Sequence, residues 1–367
     1  MAACNQPGSG SGQPEPHSRY HYAMDAPYDP DEPPPDDAGL FGLPTTPAEA
    51  ALVIVPVPWD ATTSYRAGTS RGPEAIRRAS HQLDLYDVEL GEPWRAGIAM
   101  LPIPVDIVDA NALVRTDAER VIAVGGRIAG APDLVAALGR VNAASAELDR
   151  HVFAEVDRQL AAGKVVGVLG GDHSVPFGAI ARHAKDHASF GVLHVDAHAD
   201  LRVAYEGFAR SHASIMYNVV SEIPQVTRLV QVGIRDVSKG EADFAAASGG
   251  RIAPFHDARL AARKLEGESW RAICDDIIAA LPRDVYISFD IDGLDPRLCP
   301  STGTPVPGGL SFHEATYLIA RVVRSGRRII GFDLNEVAPG APGDEWDANV
   351  GARLLYQLCA WTLASRS

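Results

Sequence analysis

Short apolar runs that alternate with longer helical patterns constrain the fold of this chain more than any other feature. We predict strands over 52–57, 100–105, 164–169, 191–195, 228–232, 284–289 and 328–334. We predict helices over about 73–86, 132–162, 176–187, 215–222, 268–281, 312–325 and 347–363. Strands that lack polar positions are typical of parallel sheets covered by helices. The alternation therefore predicts a single α/β domain in which a mostly parallel sheet carries helices on both faces.

The first part of the chain has a different composition. Residues 1–45 are polar and rich in Pro, Gly, Asp and Glu, most clearly over 30–37. Such a segment buries too little apolar area to offset the entropy that ordering it would lose. We therefore expect a partly flexible N-terminal extension over 1–45 and one domain over 46–367. Leu40, Phe41 and Leu43 could still dock the end of the extension on the domain or on a neighbouring subunit.

The charge balance narrows the classes of partner. The chain has 33 basic and 47 acidic residues, so its formal net charge is -14 at pH 7. Nucleic acids and anionic membranes are bound by basic surfaces, so we expect neither as a partner. The negative charge suits a small cationic substrate, although solubility alone would also explain it.

The spacing of the cysteines and the hydropathy of the chain indicate the cellular compartment of the protein. The four cysteines stand singly, without a Cys-x-x-Cys spacing, which is typical of reduced thiols in an intracellular protein. The chain begins without the apolar run of a secretory signal. It also contains no run of about 18 apolar residues that could span a bilayer. We therefore expect a cytoplasmic protein.

Several predicted strands end in side chains that carry charge or bind metals. These side chains are His173, then Asp196, His198 and Asp200, then Asp290 and Asp292, and finally Glu336. The second group has the spacing i, i+2 and i+4, so an extended segment would place all three side chains on one face. Ligands of open α/β sheets bind at the carboxyl ends of the strands. The sequence therefore predicts one site at this edge of the sheet.

Two divalent cations would explain four buried aspartates at one place. Without cations the carboxylates would repel one another and raise one another's pKa. Imidazole and carboxylate ligands suit Mn, Fe, Co, Ni or Zn, and the absence of Cys ligands argues against a structural zinc site. Two such ions lower the pKa of a shared water towards 7, which predicts a hydrolase. Taken singly, 170–174 could be a capped turn and 290–296 a turn or a calcium-like loop.

Three stretches resemble the signatures of a known family. Gly-Gly-Asp-His-Ser (170–174), Asp-Ala-His-Ala-Asp (196–200) and Ser-Phe-Asp-Ile-Asp-Gly-Leu-Asp-Pro (288–296) are similar to those of the ureohydrolases. This superfamily includes arginases, agmatinases and guanidino-acid hydrolases. The resemblance covers about 50–363 and implies an arginase-like three-layer α/β/α fold. It also implies a ureohydrolase catalytic domain over 46–367 that converts a guanidino group to urea and an amine or ammonia.

The resemblance also implies roles for individual residues. The two ions, Ni²⁺ or Mn²⁺ in each subunit, would be bound by His173, Asp196, His198, Asp200, Asp290 and Asp292. Glu336 would pair with the planar guanidinium of the substrate, which suits a carboxylate in two hydrogen bonds. His212 would shuttle protons, and Thr304 would line the pocket. Family members are commonly trimers or hexamers, so we expect a homo- or hetero-oligomer.

Departures from the family pattern bear on the substrate. Arg202 stands where arginases carry an Asn that binds the amino-acid head group, which argues against arginine. The stretch around His212 is similar to the agmatinase branch, whereas 339–349 and 57–65 look closer to guanidine hydrolases and metformin hydrolase subunits. We therefore expect a small guanidino substrate such as guanidine or metformin.

Other interpretations remain open at this stage. The enzyme alternatives are agmatinase, another guanidino-acid hydrolase, and a deacetylase-like use of the fold, which the six-ligand set disfavours. A non-enzyme alternative is a partner subunit of a hetero-oligomeric ureohydrolase. One further expectation concerns His194, which we place on the strand face opposite the ligand set.

Overall fold

A sheet of eight parallel strands forms the centre of the computed structural model, which describes residues 28–35 and 37–366. The strands are β1 (Leu52–Val57), β2 (Ile98–Met100), β3 (Val165–Gly170), β4 (Phe190–Val195), β5 (Val226–Ile234), β6 (Ile252–His256), β7 (Asp284–Asp290) and β8 (Arg328–Asn335). Their order across the sheet is β2-β1-β3-β8-β7-β4-β5-β6.

Helices follow most of the strands and pack on the sheet. They are α1 (Gly72–Ala79), α2 (Val105–Ile122), α3 (Pro132–Ala161), α4 (Phe177–Asp186), α5 (Ile215–Glu222), α6 (Lys239–Ala247), α7 (Asp257–Leu265), α8 (Trp270–Ala279), α9 (Phe312–Arg324) and α10 (Trp346–Ala364). The single α/β domain with helices on both faces of a parallel sheet is therefore confirmed. Among the described helices, none has the length and apolar character needed to cross a bilayer.

Both faces of the sheet are buried, which explains why the strands lack polar positions. In β4, Leu193 and Val195 belong to the core shared with α1, α8, α9 and α10. The alternate residues Phe190 and Val192 belong to the opposite core, shared with α3, α4 and α5. Successive strand residues point to opposite faces, so a sheet between two helical layers carries mostly apolar side chains on both faces.

The structure corrects the prediction of a strand over 100–105. Strand β2 ends at Met100, and helix α2 already begins at Val105. Pro102 and Pro104 separate the two elements, and proline has no N–H to donate to a β-ladder. Four elements that the sequence pattern did not indicate are α2, α6, β6 and α7.

The end of the N-terminal extension packs on this chain's own domain. Leu40, Phe41 and Leu43 are buried in the core on the α10 side of the sheet. The ring of Phe41 meets that of Tyr356 edge to face, with centroids 5.1 Å apart. Residues 1–27, over which flexibility was also predicted, lie outside the described part of the chain. The domain boundary at residue 46 stays a prediction.

Candidate metal centre and substrate cavity

The strands whose ends carry the predicted site residues are neighbours in the sheet. Strands β3, β8, β7 and β4 stand side by side at its centre and run in the same direction. Their carboxyl ends therefore meet at one edge, as parallel pairing requires. The turn after β3 is tight, because a Cβ at Gly171 would lie 1.8 Å from the carbonyl oxygen of Trp59. Only glycine fits there, which explains part of the motif that holds His173.

One cluster of potential ligand atoms surrounds the ring of His173. Its Nδ1 lies 3.0 Å from Oδ2 of Asp196 and 3.3 Å from Oδ2 of Asp290. The distance from the same nitrogen to Oδ2 of Asp200 is 3.5 Å. All four residues are buried. Three carboxylate oxygens thus lie close to one imidazole nitrogen, and ligand atoms of His173, His194, Asp196 and Asp200 all lie within 4.8 Å of one another, close enough to hold a metal ion.

A second cluster shares Asp196 with the first. It joins Asp196, His198 and Asp292, whose ligand atoms lie within 4.8 Å of one another. The His198 Nδ1 is 3.1 Å from Oδ2 of Asp292 and 3.4 Å from Oδ1 of Asp196. Asp196 therefore presents one oxygen to each cluster, which is the arrangement expected of a carboxylate between two ions.

Backbone N–H groups orient these carboxylates. Oδ1 of Asp290 accepts from the N–H of Asp292 at 2.8 Å, and Oδ1 of Asp292 accepts from the N–H of Ala197 at 3.0 Å. Oδ1 of Asp196 accepts from the N–H of His198 at 2.6 Å. The Oδ2 atoms of Asp290 and Asp292 are left facing the imidazoles.

The donor set fits cations. Within the described residues, no Lys or Arg forms an ion pair with any of the four carboxylates, whose close partners are histidine rings. Burial and the neighbouring carboxylates raise the pKa of Asp200 and Asp290 well above their ordinary range. Positive charge from divalent ions would remove this penalty, because a cation favours the ionised form of a nearby carboxylate. The residues therefore fit the two-ion centre that the motifs predict.

A hydrogen-bonded chain behind His173 orients its ring. The Nε2 atom lies 2.9 Å from Oγ of Ser288, and that hydroxyl donates to Oδ1 of Asp333 at 2.9 Å. Because the serine proton is used on Asp333, Ser288 accepts from Nε2–H and leaves the Nδ1 lone pair facing the cluster. Sequence reasoning missed both residues, although Ser288 stands two positions before Asp290 and so shares its strand face.

The expectation for His194 was wrong. Its Nε2 lies 2.8 Å from Oδ2 of Asp196, so the ring points towards the ligand set. Residues two apart on a strand share a face, and His194 and Asp196 are two apart. Burial lowers the pKa of the His194 imidazole.

A cavity of about 170 Å³ opens beside the two clusters. The structure brings the predicted site residues together at or directly beneath it. Those that line the cavity are His173, His198, Asp200, Asp290, His212, Thr304 and Glu336. The remaining two, Asp196 and Asp292, lie in the clusters already described. The individual roles assigned to these nine residues stay predictions.

Glu336 is held rigidly at the end of β8. Its backbone has a φ of 63°, which is strained for a residue with a Cβ, and its Oε1 accepts from the N–H of His173 at 2.9 Å. Asp200 has a similar φ of 54°. Burial, followed by the charge of Asp290, raises the pKa of Glu336 well above its ordinary range. A bound cation would relieve this carboxylate as well.

The other predicted cavity residues lie on loops. Thr304 directs Oγ1 towards Oδ2 of Asp292 at 3.4 Å. His212 begins a short 3₁₀ helix over His212–Ser214, and its Nδ1 lies 3.4 Å from Oγ of Ser211. Loss of hydration, followed by the charges of His198 and His173, lowers the pKa of His212 to about 4. Its ring is therefore neutral at pH 7.

The cavity wall also contains Arg202, which the sequence analysis used as an argument against arginine, and two acidic residues, Glu241 and Asp236, which it did not discuss. Arg202 lies over the ring of Tyr205, with its Cζ 5.1 Å from the centroid, and its Nε is 3.8 Å from Oε2 of Glu241. Glu241 is buried and already accepts hydrogen bonds from Ser238 and from the N–H of Leu201. Asp236, by contrast, is exposed.

Comparison with known proteins shows the relationship. The model of the Arginase family matches residues 50–360. A protein named N(1)-aminopropylagmatine ureohydrolase from Thermus thermophilus is 36% identical over 321 residues, which cover 86% of this chain and 92% of that protein. This chain belongs to the arginase family. An agmatinase from Enterobacter is 30% identical over 85% of the chain and 87% of its own length.

Solved structures agree on the fold. The agmatine ureohydrolase of Thermoplasma volcanium superposes with a TM-score of 0.65 at 24% identity, over 88% of this chain and 92% of the other. The arginase from Bacillus cereus has a TM-score of 0.60 at 24% identity, over 84% of this chain and 97% of that one. The arginase-like fold predicted from the motifs is thereby confirmed. As a member of this family of binuclear metal enzymes, the chain is a ureohydrolase that acts on C–N bonds of linear amidines.

Proposed function

We propose that this arginase-family enzyme hydrolyses a C–N bond of a small guanidino compound, namely guanidine or a small substituted guanidine or biguanide such as metformin. The products are urea and ammonia or an amine. The observation that carries the proposal is the wall of the cavity, where Arg202 places a positive charge beside a space of about 170 Å³.

The size of the cavity favours a small ligand. An apolar cavity of about 150 Å³ in another protein holds one benzene molecule, which has six heavy atoms. Guanidine, with four heavy atoms, is well within this limit, whereas metformin and agmatine have nine heavy atoms each and are not distinguished by size. Arg202 lines the same cavity as Glu241 and Asp236, so the alkylamine tail of a longer guanidine would lie near this arginine as well as near the two carboxylates. A second ammonium group there would be repelled by the arginine.

Glu336 would orient the substrate. Its Oε1 is tied to the N–H of His173, which aims the carboxylate into the cavity beside the metal clusters. A planar guanidinium donates paired N–H groups in a geometry that suits a carboxylate. Substrate binding also supplies the positive charge that buried Glu336 lacks.

His212 would move the proton. Because its Nδ1 faces Ser211, Nε2 is the nitrogen available to exchange a proton with groups in the cavity. The neutral ring would take a proton that the attacking water releases and give it to the nitrogen that departs when the C–N bond breaks, as general acid–base catalysis requires. Two divalent ions, when bound, supply the charge that lowers the pKa of water towards neutrality. We propose Ni²⁺ or Mn²⁺, which imidazole and carboxylate donors both accept.

A urea assay across a panel of guanidines tests the substrate proposal. Enzyme loaded with Ni²⁺ or Mn²⁺ is incubated with guanidine, metformin, agmatine or N(1)-aminopropylagmatine, and both urea and amine release are followed. We expect the highest kcat/KM for guanidine or metformin. Preference for agmatine by orders of magnitude would contradict the proposal, and no product from any compound would contradict the reaction itself.

Agmatine or a longer relative is the second candidate. The relatives are named for such substrates, and exposed Asp236 at the cavity could pair with their distal ammonium.

We also propose a homo- or hetero-oligomer, which light scattering of the purified chain would test. Activity of the chain expressed alone would show that no second subunit is needed.

A further inference from the structure

We infer that His194 is not a metal ligand but the hydrogen-bond donor that fixes Asp196 between the two metal positions, and that Gln231 selects the required tautomer. The inference rests on the proposed two-ion centre. Distances alone do not distinguish a metal ligand from a hydrogen-bond donor, because His194, like His173, has a ring nitrogen close to Asp196 and Asp200. The hydrogen bonds of Gln231 decide it.

Gln231 determines which nitrogen of His194 carries the proton. Its amide Nε2 lies 2.7 Å from the carbonyl oxygen of Ala199 and 3.0 Å from Nδ1 of His194. A carbonyl oxygen only accepts, so the amide nitrogen must face Ala199. A reversed amide would bring two oxygens together there. The second amide hydrogen then points at Nδ1 of His194, which must present its lone pair.

With Nδ1 as acceptor, the neutral imidazole carries its proton on Nε2. That proton points at Oδ2 of Asp196, 2.8 Å away. To bind a metal through Nε2, the ring would have to move its proton to Nδ1, opposite the N–H of Gln231. Two donors would then face each other in a place without solvent. If His194 donates from Nε2–H, both ring nitrogens of His194, the amide nitrogen of Gln231 and Oδ2 of Asp196 all have a hydrogen-bond partner of the right kind.

Because the residues are buried, water cannot replace the hydrogen bond from His194 to Asp196. His194 and Asp196 are 0% exposed and Gln231 is 1% exposed. Oδ2 of Asp196 also faces His173, while Oδ1 faces the second cluster. A rotation of this one carboxylate would therefore displace an oxygen from both metal positions. Partners of this kind typically change metal affinity or activity by about 10–100-fold.

The substitutions His194→Leu, His194→Gln and Gln231→Leu separate the possible roles. Leucine removes the donor, whereas the side-chain amide of Gln places an N–H where Nε2–H was. Gln231→Leu leaves the ring in place and frees its tautomer. His183→Leu is the matched control, because His183 is also a buried histidine, in α4, and its ring contacts His187 and Tyr286 rather than a residue of the two clusters.

Metal content is measured on each full-length variant by elemental analysis after equilibration at a series of free Mn²⁺ concentrations. We expect His194→Leu to bind two ions at saturation, with an affinity for the weaker site reduced about 10–100-fold. We expect kcat to fall by a similar factor while KM for the active guanidine of the panel changes little. His194→Gln should recover most of both losses, and Gln231→Leu should lie between the two.

Four results would overturn the inference in whole or in part. Saturation of His194→Leu at one ion would make the residue a ligand. Metal affinity and kcat of His194→Leu equal to those of His183→Leu would make it a packing residue. A folded His194→Gln with metal affinity and kcat about 10–100-fold below the wild type would exclude the donor role, whether or not His194→Leu folds. A Gln231→Leu variant with wild-type metal affinity and kcat would exclude the selection of the tautomer by Gln231. Wild-type protein that saturates below two ions would instead contradict the proposed metal centre.

Discussion

The backbone N–H of His173 donates a hydrogen bond of 2.9 Å to Oε1 of Glu336. The turn after β3 and the end of β8 are thereby joined at the point where a potential metal ligand and a potential substrate ligand meet. A shift of either strand end would move both groups. With the proposed roles of His173 and Glu336, metal binding and substrate orientation would be coupled through this hydrogen bond.

Glu336→Gln tests the role of the carboxylate. The amide oxygen can still accept from the N–H of His173, so we expect two ions to remain bound. Loss of the charge that faces the guanidinium should reduce kcat/KM by at least about 100-fold, because a hydrogen bond between charged groups contributes about 1.5–3 kcal/mol and two are affected. Elemental analysis and the urea assay give the two readouts. A variant with unchanged kcat/KM would refute the assignment.

Asp292→Asn tests the second cluster. The carboxylate is 3.1 Å from His198, and its conversion to an amide removes an anionic ligand. We expect the metal content to fall from about two ions towards one. The control is Asp295→Asn, three positions along the same turn, where the side chain pairs with Arg297 instead. Two ions per chain in Asp292→Asn would show that this residue is not a required ligand.

The Arg202→Ala variant tests whether Arg202 disfavours substrates that carry a second positive charge. Without the guanidinium in the cavity wall, a distal ammonium meets Glu241 and Asp236. We expect the ratio of kcat/KM for agmatine to that for guanidine to rise about tenfold, since one charge pair at about 4 Å contributes of the order of 1 kcal/mol or more. Arg202→Glu should raise the ratio further. An unchanged ratio in both variants would remove Arg202 from the account of specificity.

The Asp149→Asn variant tests how the free energy of unfolding depends on pH. Burial raises the pKa of Asp149 from 3.8 to about 7, in spite of Arg210 at 2.9 Å. Between these values the folded chain keeps a proton that the unfolded chain has released, so the contribution of this group to stability falls as the pH rises. Asn cannot titrate, so the variant should gain stability relative to the wild type between pH 4 and 7. Urea denaturation at pH 5 and pH 8 measures this, and a gap that is constant with pH would contradict it.

The position of the site could be predicted because it depends on local sequence. Apolar strands followed directly by Asp, His or Glu indicate their own ends, and parallel strands present those ends at one edge. Seven residues far apart in the chain could therefore be placed at one edge of the sheet, whereas His212 and Thr304, which lie on loops, were assigned by the family resemblance alone. That β3, β8, β7 and β4 are neighbours did not follow from the sequence, since strand order is set by long-range packing.

The residues that were missed act through tertiary contacts. Gln231 meets His194 across the β4–β5 pair, and Ser288 meets Asp333 across β7 and β8. Neither contact leaves a pattern in one strand alone. The wrong expectation for His194 has a simpler cause, because its separation of two residues from Asp196 already required a common face. The strand over 100–105 was wrong because two prolines interrupt it.

Anomalous diffraction from crystals grown with Mn²⁺ would test the two-metal centre most directly. We expect two peaks about 3.5–4 Å apart, the separation typical of two-metal hydrolytic sites. Asp196 and Asp290 should lie between the peaks, with His173 and Asp200 at one ion, His198 and Asp292 at the other, and His194 at neither. A single peak, or a peak ligated by Nε2 of His194, would contradict the account.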